Sequence, residues 1–548
     1  MFTAYTVEHG YGLCGGVFSE AAARELGRNQ MKAAVRTILR DAEGKVETCD
    51  VLVYGGTPAG VTAALAAQRR GRRTILIDPS PRIGGLTTGG LGQTDIGAKR
   101  CYSGLARRFY REIKAWYADP AHWTRERREG FKGDGWHCWP DLPADDDTMW
   151  TFEPHVALEI LERWIAEAKL DVRRHVRLDR NPGATVKDPV TRRITSVRTE
   201  DGRTFRALAY VDATYEGDLM AAAGVPYFVG REDNAVHGET VDGVRPADSP
   251  KHQFVKGVDP YRTRGDPSSG LLPGVEGAPT EPVGRGDRRV QAYCYRLCLT
   301  DDPGNLVPFV RPPNYDERDF ELLFRNYEAG EKAVAYFTCP MPNRKTDANS
   351  SGGFSFDCVG WNYGYPEASY PERDRIEGWH RYWQQGLMWS LANHPRVPAA
   401  VREQVSRWGL ARDEFTETEN WPGQLYVREA RRMVGEYVVT EADVRGDRVA
   451  PEPHVATGSY GMDSHHSRRV VVDGMVRNEG DLQDYRRIRL YPIPLAAMRP
   501  KREDCANLLV PICLSASHAA YGSIRMEPNF FQLGEAAGEA AADAAQGL

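Results

Sequence analysis

The chain of 548 residues lacks the features that mark several common classes of protein. Its formal net charge is only −5, from 71 basic and 76 acidic residues, which excludes a broad basic surface for nucleic acid. No apolar run approaches the roughly 18 residues that a membrane span requires. The N-terminal residues have neither the basic start nor the apolar core of a signal peptide. We therefore expect no nucleic-acid partner, no membrane partner and a cytoplasmic location.

Cysteine patterns that would indicate a metal or a redox pair are also missing. The ten cysteines are scattered without a C-x-x-C pair, and no histidine or cysteine cluster joins Cys294 and Cys298. The thiols are predicted to be free, with no metal site and no dithiol centre. The chain has no repeat with a period of about 20–50 residues and no low-complexity tract.

What is present is a strand, a glycine turn, a helix and a second strand within residues 50–88. Val51–Tyr54 predicts a buried strand, Val61–Arg70 a helix packed on a sheet, and Thr74–Ile77 a second strand that Asp78 closes. This order is typical of a dinucleotide site, where backbone N–H groups at a helix N-terminus meet a pyrophosphate and the acid accepts from ribose hydroxyls. The turn comprises Gly55, Gly56, Thr57, Pro58, Ala59 and Gly60.

Thr57 stands where the fingerprint has its second glycine. The departure weakens the motif match, but a threonine hydroxyl could itself serve as a donor to phosphate. The alternative reading is an ordinary βαβ turn with no ligand.

Later segments return the chain to the same sheet. Ile194–Glu200 and Thr204–Tyr210 flank Asp201-Gly202, which predicts a hairpin. A strand is predicted over Asn507–Cys513, followed by a polar loop and then an alanine-rich helix over Asn529–Gln546. The small residues of this helix permit close helix–sheet packing, and its N-terminus carries a partial positive charge. They are Gly534, Ala536, Ala537, Gly538, Ala540 and Ala541.

Taken together, ordered stretches over most of residues 50–548 resemble the FAD-dependent oxidoreductase family of bacterial glutathione-reductase-like flavoproteins. The stretches that carry the resemblance are GGTPAGVTAALAAQRRG, GGLTTGGLG, WTFEPHVALEIL, VDATYEGDLM, YRLCLTDDPGN, QLYVREARRMVGEY, GSYGMDSH and LLVPICLSASHAAYGSIRMEPNFFQLGEAAG. The resemblance implies an α/β fold with a Rossmann-type, glutathione-reductase-like FAD-binding domain and an inserted mixed α+β substrate domain. It implies FAD as the cofactor, because a similar R-x-G-G follows the ribose acid in such flavoproteins.

The predicted division of the chain follows from this resemblance and from a change in composition near residue 230. Residues 1–48 form an N-terminal extension that packs on the FAD domain or joins an oligomer contact. Residues 49–229 and 485–548 form the discontinuous FAD-binding domain, with an irregular excursion over 117–147 as a candidate lid. Residues 230–484 form the substrate domain, and they show no second glycine fingerprint for NAD(P)H.

The residues expected to bind the cofactor follow the same motifs. They are Gly55, Thr57, Pro58, Ala59, Gly60, Asp78, Arg82, Gly84, Gly85, Leu86, Thr87, Val176, Ala213, Thr214, Asp218, Glu527 and Gln532.

Flavin carries out hydride chemistry itself, so the protein needs a group that removes the accompanying proton. Histidine suits this task at neutral pH. His518 is predicted in the loop before the C-terminal helix, whereas His465 and His466 lie in the substrate domain, and either location is compatible with the role. Arg525 is a fourth catalytic candidate, either at the polar edge of the flavin or paired with Glu527.

The sequence thus predicts an enzyme that oxidises a small polar or natural-product-like substrate by hydride transfer to flavin N5. Its partners are the substrate and an electron acceptor, with oxygen as one candidate, and a homo-oligomer is compatible with the chain. A flavin-dependent monooxygenase is the first alternative. A non-redox lyase or isomerase that retains FAD is the second.

Overall fold

The structure is a computed structural model that describes residues 46–133, 147–245, 249, 251–334, 339–486 and 489–546. The predicted helix over Glu20–Arg40 lies outside the described residues, as does 134–146 of the irregular excursion. Between Tyr117 and Gly133 the chain forms short 3₁₀ turns. None of the described helices is long and apolar enough to cross a bilayer.

The strands of the first half of the chain are β1 to β7. Their bounds are β1 Val46–Tyr54, β2 Thr74–Ile77, β3 Asp171–Arg173, β4 Thr185–Lys187, β5 Ile194–Arg198, β6 Thr204–Asp212 and β7 Tyr227–Val229. The second half contributes β8 Leu297–Thr300, β9 Leu306–Val307, β10 Cys339–Met341, β11 Lys345–Ala348, β12 Gly409–Ala411, β13 Arg431–Met433, β14 His454–Gly458, β15 Met462–Asp463, β16 Arg468–Val472, β17 Met475–Glu479, β18 Gln483–Asp484, β19 Tyr491–Pro494 and β20 Leu508–Leu509.

The α-helices of the described residues are α1 to α12. They are α1 Pro58–Arg69, α2 Gly85–Thr88, α3 Gly104–Trp116, α4 Pro154–Ala168, α5 Asp218–Ala222, α6 Asn234–His237, α7 Glu321–Glu328, α8 Tyr370–Asn393, α9 Ala399–Val405, α10 Glu441–Arg445, α11 His518–Ile524 and α12 Glu527–Gln546.

A seven-stranded, mostly parallel sheet positions the predicted cofactor site. β1 lies between β2 and β6 and is parallel to both, and β3 extends the sheet beyond β2. The first residues of β6 pair with β5 in an antiparallel hairpin, while its end pairs in parallel with β20. The carboxyl ends of β1, β2 and β6 therefore meet at one edge, which is where ligands bind in open α/β sheets. The coarse prediction of a Rossmann-like α/β fold is confirmed.

The last helix packs on the first helix and not only on the sheet. Gly534 and Gly538 face α1 so closely that a Cβ would lie 2.2 Å from the Ala59 carbonyl and 2.1 Å from the Ala63 carbonyl, respectively. Ala537 and Ala541 are fully buried in the same interface. The predicted close packing is present, with α1 as its nearest partner.

A second, five-stranded sheet lies within residues 230–484. Its order is β10-β11-β8-β12-β9, with antiparallel neighbours. The prediction of a mixed α+β region agrees with this sheet and with the helices α7 to α9 in the same part of the chain. Its definition as a separate substrate domain stays a prediction.

Several predicted elements are shorter than expected. The sequence pattern predicts a strand over Asp171–Leu178 and a helix over Ala399–Leu410. The strand ends at Arg173, and the helix ends at Val405 before β12. The strand expected over Asn507–Cys513 pairs only through Leu508 and Leu509. In each case further apolar residues follow the end of the element. Tertiary packing buries them although they do not continue the hydrogen bonds of the element, and an apolar pattern alone does not show where those bonds end.

We expect Gly538→Ala to destabilise the protein, because its new Cβ would meet the backbone of Ala63 at 2.1 Å. Overpacking of this kind costs about 1–3 kcal/mol, although alanine is the better helix former. Gly378→Ala is the control, since Gly378 is exposed in α8 with no atom within 4 Å. That change should be neutral or stabilising by roughly 0.5–1 kcal/mol. Urea unfolding of both variants tests this, and equal stabilities would contradict it.

Candidate functional site

A cleft opens at the carboxyl ends of β1, β2 and β6. It continues past α2 to the segment 423–425 and to α8. The predicted cofactor residues that line it are Gly55, Thr57, Asp78, Arg82, Gly85, Thr214 and Asp218. The other predicted cofactor residues lie behind its wall.

The glycine turn is held tightly against the end of β6. Gly55 has a φ of 103°, and a Cβ there would lie 2.8 Å from the backbone of Ala213. A Cβ at Gly60 would lie 1.7 Å from the carbonyl oxygen of Gly55. Gly60 is therefore required for packing of α1 on the turn, while Pro58 and Ala59 are buried in its first turn.

The hydroxyl of Thr57 is not available as a phosphate donor, which corrects the expectation from the sequence. It donates to the Ala213 carbonyl at 2.7 Å and accepts from the Gly60 N–H at 3.2 Å. Thr57 is thus the N-cap of α1, and it ties the helix start to β6.

Asp78 lies at the end of β2 beside the turn. Its carboxylate accepts from the Gly56 N–H and from the Ser80 N–H, the latter at 2.5 Å. Burial raises the pKa of Asp78 to about 6. Val176 does not line the cleft: it is buried, its N–H donates to the Asp78 carbonyl at 2.8 Å, and its neighbour Arg177 lines the cleft instead.

The second glycine pair encloses the cleft from the other side. Gly84 and Gly85 have φ values of 98° and 49°, and a Cβ on Gly85 would lie 2.5 Å from the Tyr215 hydroxyl oxygen. The same hydroxyl accepts from the Leu86 N–H at 2.9 Å. Both glycines are therefore needed for this close approach.

Arg82 provides a free donor in the cleft. Its Nε donates to the Thr88 carbonyl at 2.9 Å and its Nη1 pairs with Glu417 at 2.5 Å. Its Nη2 is buried without a hydrogen-bond partner. An unpartnered guanidinium nitrogen beside a glycine turn suits a phosphate group.

Glu527 joins the start of α12 to the second glycine pair. Its carboxylate accepts from the Thr87 hydroxyl at 2.6 Å and from the Tyr215 hydroxyl at 2.9 Å. Burial raises the pKa of Glu527 to about 7. Gln532, one turn further, donates to the Cys101 carbonyl at 3.1 Å, and its Oε1 is buried without a partner.

Asp218 pairs with three arginines at the cleft wall. Arg373, Arg431 and Arg180 lie 2.6, 2.8 and 3.0 Å from its carboxylate. Although burial opposes its charge, these arginines lower the pKa of Asp218 well below its usual range. Its carboxylate is thus engaged in ion pairs.

This cleft fits FAD in the chemistry of its donors. Asp78 offers a carboxylate at the ribose position, Arg82 offers an unpartnered donor, and Gly55 and Gly85 leave the backbone uncovered. These are the groups that would hold an adenosine ribose and a pyrophosphate.

Two of the three candidate histidines, His518 and His465, belong to one buried polar network. The Nδ1 of His518 lies 2.7 Å from Glu429, which also accepts from Gln291 at 2.8 Å. The Oε1 of Gln291 in turn accepts from the backbone N–H of His465 at 3.0 Å. The network was not predicted, because Gln291 and Glu429 are far apart in sequence and match no motif.

His518 occupies the first position of α11 and not a loop, which corrects the predicted placement. The hydroxyl of Ser517 caps this helix by accepting from Ala520 N–H at 3.2 Å. Burial opposes a charge on His518, but Glu429 raises its pKa above the usual value. The hydrogen bond to Glu429 therefore favours the protonated form of the ring.

His465 has a different environment. Its Nδ1 lies 2.5 Å from Asp357, and Asp357 is also 2.9 Å from Nη1 of Arg428. Burial and the charge of Arg428 lower the pKa of His465 to about 3, so the ring is neutral. Its side chain keeps 16% exposure, and no described residue forms a hydrogen bond with Nε2. Asp357 lies in a loop without a sequence signal and was missed.

The other two catalytic candidates have structural contacts. His466 contacts the Lys251 carbonyl through Nε2 at 3.1 Å. Arg525 donates to the Asp463 carbonyl from Nε at 3.1 Å and to the Tyr426 hydroxyl from Nη1 at 2.7 Å. Of the two alternatives for Arg525, the pairing with Glu527 is not formed, because Glu527 is bound to Thr87 and Tyr215.

The segment around Arg428 forms the expected ion-pair network, although not on a helix. Arg432 pairs with Glu429 at 2.6 Å and Arg431 with Asp218 at 2.8 Å. Arg431 begins the short strand β13. The strand explains why alternate side chains reach different partners.

One group of described residues has the spacing of metal ligands, namely Glu153, His155 and Glu414. The ammonium of Lys345 lies 2.7 Å from Glu153 and 2.9 Å from Glu414. Lys345 therefore already supplies the positive charge at this place. His155 is part of this ion-pair cluster, in keeping with its structural interpretation.

Comparison with known proteins agrees with this geometry. The sequence profile of the family described as FAD dependent oxidoreductase matches residues 50–547. The chain belongs to this family, is an enzyme and uses FAD as its cofactor.

Similarity to curated proteins is confined to short segments. The digeranylgeranylglycerophospholipid reductase of Thermoplasma acidophilum is 44% identical over 64 residues, which cover 10% of this chain and 16% of that protein. The protein of the same name from Thermoplasma volcanium is 47% identical over 58 residues, which cover 9% and 15%.

Among solved structures, the flavin-containing monooxygenase from Stenotrophomonas maltophilia is 19% identical, with a TM-score of 0.18 over 30% of this chain and 38% of that chain. The 3-ketosteroid-delta4-(5alpha)-dehydrogenase from Rhodococcus jostii is 15% identical, with a TM-score of 0.20 over 33% and 49%.

We expect Arg82→Met to weaken FAD binding, because Nη2 is the unpartnered donor of the cleft. Loss of a charge-assisted hydrogen bond costs about 1–3 kcal/mol, or roughly 5- to 150-fold in Kd. Glu417→Gln is the control, since it removes only the outer partner of Arg82. Flavin titration of the apoprotein measures both, and an unchanged Kd in Arg82→Met would contradict the assignment.

Glu527→Gln should change the pH dependence of stability in the flavin-free protein. A carboxyl group whose pKa is raised by folding favours the folded state while protonated, and this contribution is lost as pH rises toward the folded pKa of about 7. The variant should match the wild type below pH ~4.5 and exceed it by about 3 kcal/mol above pH ~7. Urea unfolding between these pH values measures the free energy of unfolding of both proteins. A difference that does not change with pH would contradict the raised pKa of Glu527.

Proposed function

We propose that this enzyme oxidises a small polar or natural-product-like substrate and that His465 accepts the hydroxyl or amine proton released in the oxidation. Bound FAD supplies the hydride acceptor at its N5 atom and passes the electrons to oxygen or another acceptor. The observation that carries the proposal is the pairing of Asp357 with Nδ1 of a neutral His465 whose Nε2 is left without a partner.

Asp357 gives His465 the properties of a proton acceptor. By accepting the Nδ1 proton at 2.5 Å it fixes the tautomer in which Nε2 carries the lone pair. Its negative charge raises the pKa of the ring, although burial and Arg428 lower it by more and keep the resting imidazole neutral. Ser350 and Arg428 hold the carboxylate at 2.8 and 2.9 Å, so its orientation is fixed before the substrate arrives.

A short series of contacts connects His465 with the cleft. Leu425 lines the cleft, and its neighbour Tyr426 receives a hydrogen bond from Arg525. Arg525 also binds the carbonyl of Asp463, two residues before His465. The guanidinium of Arg428 lies 4.5 Å from the Tyr426 ring centre. These contacts support a location for His465 beside the cofactor cleft.

His518 is the weaker candidate, because its proton is held by Glu429. Glu429 raises the pKa of His518 and favours its protonated form, which has no free lone pair for a substrate proton. Its place in the network supports a structural function.

Anaerobic mixing with a panel of small alcohols, aldoses and amines tests the reaction class. We expect at least one compound to bleach the visible flavin absorption without added nicotinamide. Turnover without bleaching would instead indicate a lyase or isomerase. Reduction only by a nicotinamide, with oxygen incorporated into the product, would indicate a monooxygenase.

With a bleaching substrate in hand, His465→Ala should slow flavin reduction by the ~10²–10⁴-fold typical of a lost general base. Added imidazole should restore part of the rate. Because the pKa of His465 is about 3, its titration should leave the wild-type rate flat between pH ~5 and ~8.

His466→Ala is the matched control, since this neighbour contacts only the Lys251 carbonyl through its ring. We expect it to reduce flavin at nearly the wild-type rate. A His465→Ala variant with a normal rate, or one that imidazole fails to rescue while His518→Ala is rescued, would move the proton acceptor to His518.

A further inference from the structure

Arg469 is a buried cation that has no ion-pair partner among the described residues. The residue is 1% exposed, and its Nε, Nη1 and Nη2 are all buried without a hydrogen-bond partner in that part of the chain. Burial lowers its pKa only to about 10, so the guanidinium is charged at neutral pH. The comparably buried Arg296 and Arg428 have carboxylate partners at 2.6 and 2.9 Å.

Three aromatic rings lie around this guanidinium, and Asp357 acts on it only through space, without a hydrogen bond. Its central carbon lies 5.2 Å from the ring centre of Phe354, 5.5 Å from that of Trp383 and 6.0 Å from that of Phe254. Ring faces attract a cation, but they do not neutralise its charge or accept five N–H hydrogen bonds. The donors of Arg469 therefore need an acceptor that the described residues do not provide.

The indole N–H of Trp361 is a second donor, and it lies with the Arg469 guanidinium beside Gly274. A Cβ on Gly274 would be 3.5 Å from Nη1 of Arg469 and 3.2 Å from the indole Nε1 of Trp361, so both donors face a residue with no side chain. Trp361 is 36% exposed, which gives this place a route to solvent. The ring of Trp379 lies 4.4 Å from that of Trp361, and its side chain hydrogen-bonds the thiol of Cys358.

We propose that Arg469 and the indole N–H of Trp361 form a binding site for a small monovalent anion, of which chloride is the probe. A charged guanidinium and a neutral N–H donor, with no carboxylate bound to either, favour an anion over a cation or a neutral ligand. The proposal does not depend on the substrate or on the proton acceptor proposed above.

The test is the melting temperature of the holoenzyme as sodium gluconate is replaced by sodium chloride at constant ionic strength. The wild type should gain stability with chloride and reach a plateau, because the anion binds only the folded chain. Arg469→Met should abolish this gain. In gluconate alone it should be at least as stable as the wild type, since it removes an uncompensated charge from an aromatic environment.

Arg288→Met is the control for loss of one positive charge, because this arginine is exposed and its side chain keeps 69% exposure. It should retain the chloride response. A wild type without a chloride response, or an equal response in Arg469→Met, would overturn the proposal. Should Arg469→Met not fold, wild-type crystals grown in sodium bromide decide: an anomalous peak within hydrogen-bonding distance of the guanidinium supports the site, and its absence overturns it.

Discussion

The pairing of buried charges is the constraint on which the second half of the molecule depends. Arg296 with Asp347, Arg373 with Asp218 and Arg231 with Glu479 each join segments that are 51 or more residues apart. An unpaired charge in the interior is so costly that each pair fixes the relative position of two distant segments. The carboxylate of Asp357 likewise joins two distant segments, through an ion pair with Arg428 and a hydrogen bond with His465.

The cofactor cleft depends on a different kind of contact, namely close approach to glycine backbone. Gly55 against Ala213, Gly60 against Gly55 and Gly85 against the Tyr215 side chain all leave less room than a methyl group needs. The first of these contacts brings the ends of β1 and β6 together without charge. The cleft can therefore keep Nη2 of Arg82 unpaired for a phosphate.

The elements that local patterns specify were predictable from the sequence, and those that tertiary packing specifies were not. The strand Thr74–Ile77 has the predicted bounds, and the hairpin at Asp201-Gly202 forms as expected, because both follow from apolar runs and turn residues. In contrast, the helix at His518 is only seven residues long and has an N-cap that resembles a loop serine. Gln291 and Asp357 have no local signal, since their importance comes from partners that are 138 and 108 residues away. Thr57 was predicted as part of the glycine turn. The partner of its hydroxyl, the Ala213 carbonyl, follows β6 and has no signal near Thr57 in the sequence.

The two histidines show why the residue type alone could not select the proton acceptor. Each has a carboxylate on Nδ1, at 2.5 Å for His465 and 2.7 Å for His518, yet burial and the charges around them shift their pKa values in opposite directions. Beside His465, the carboxylate of Asp357 is shared with Arg428, so the carboxylate is already compensated and a second positive charge is disfavoured. Around His518, Glu429 and Asp242 raise the pKa of the ring and outweigh burial and Arg432, which lower it. The pKa of a histidine beside a carboxylate can therefore be shifted in either direction, and burial and the other charges around the pair decide which.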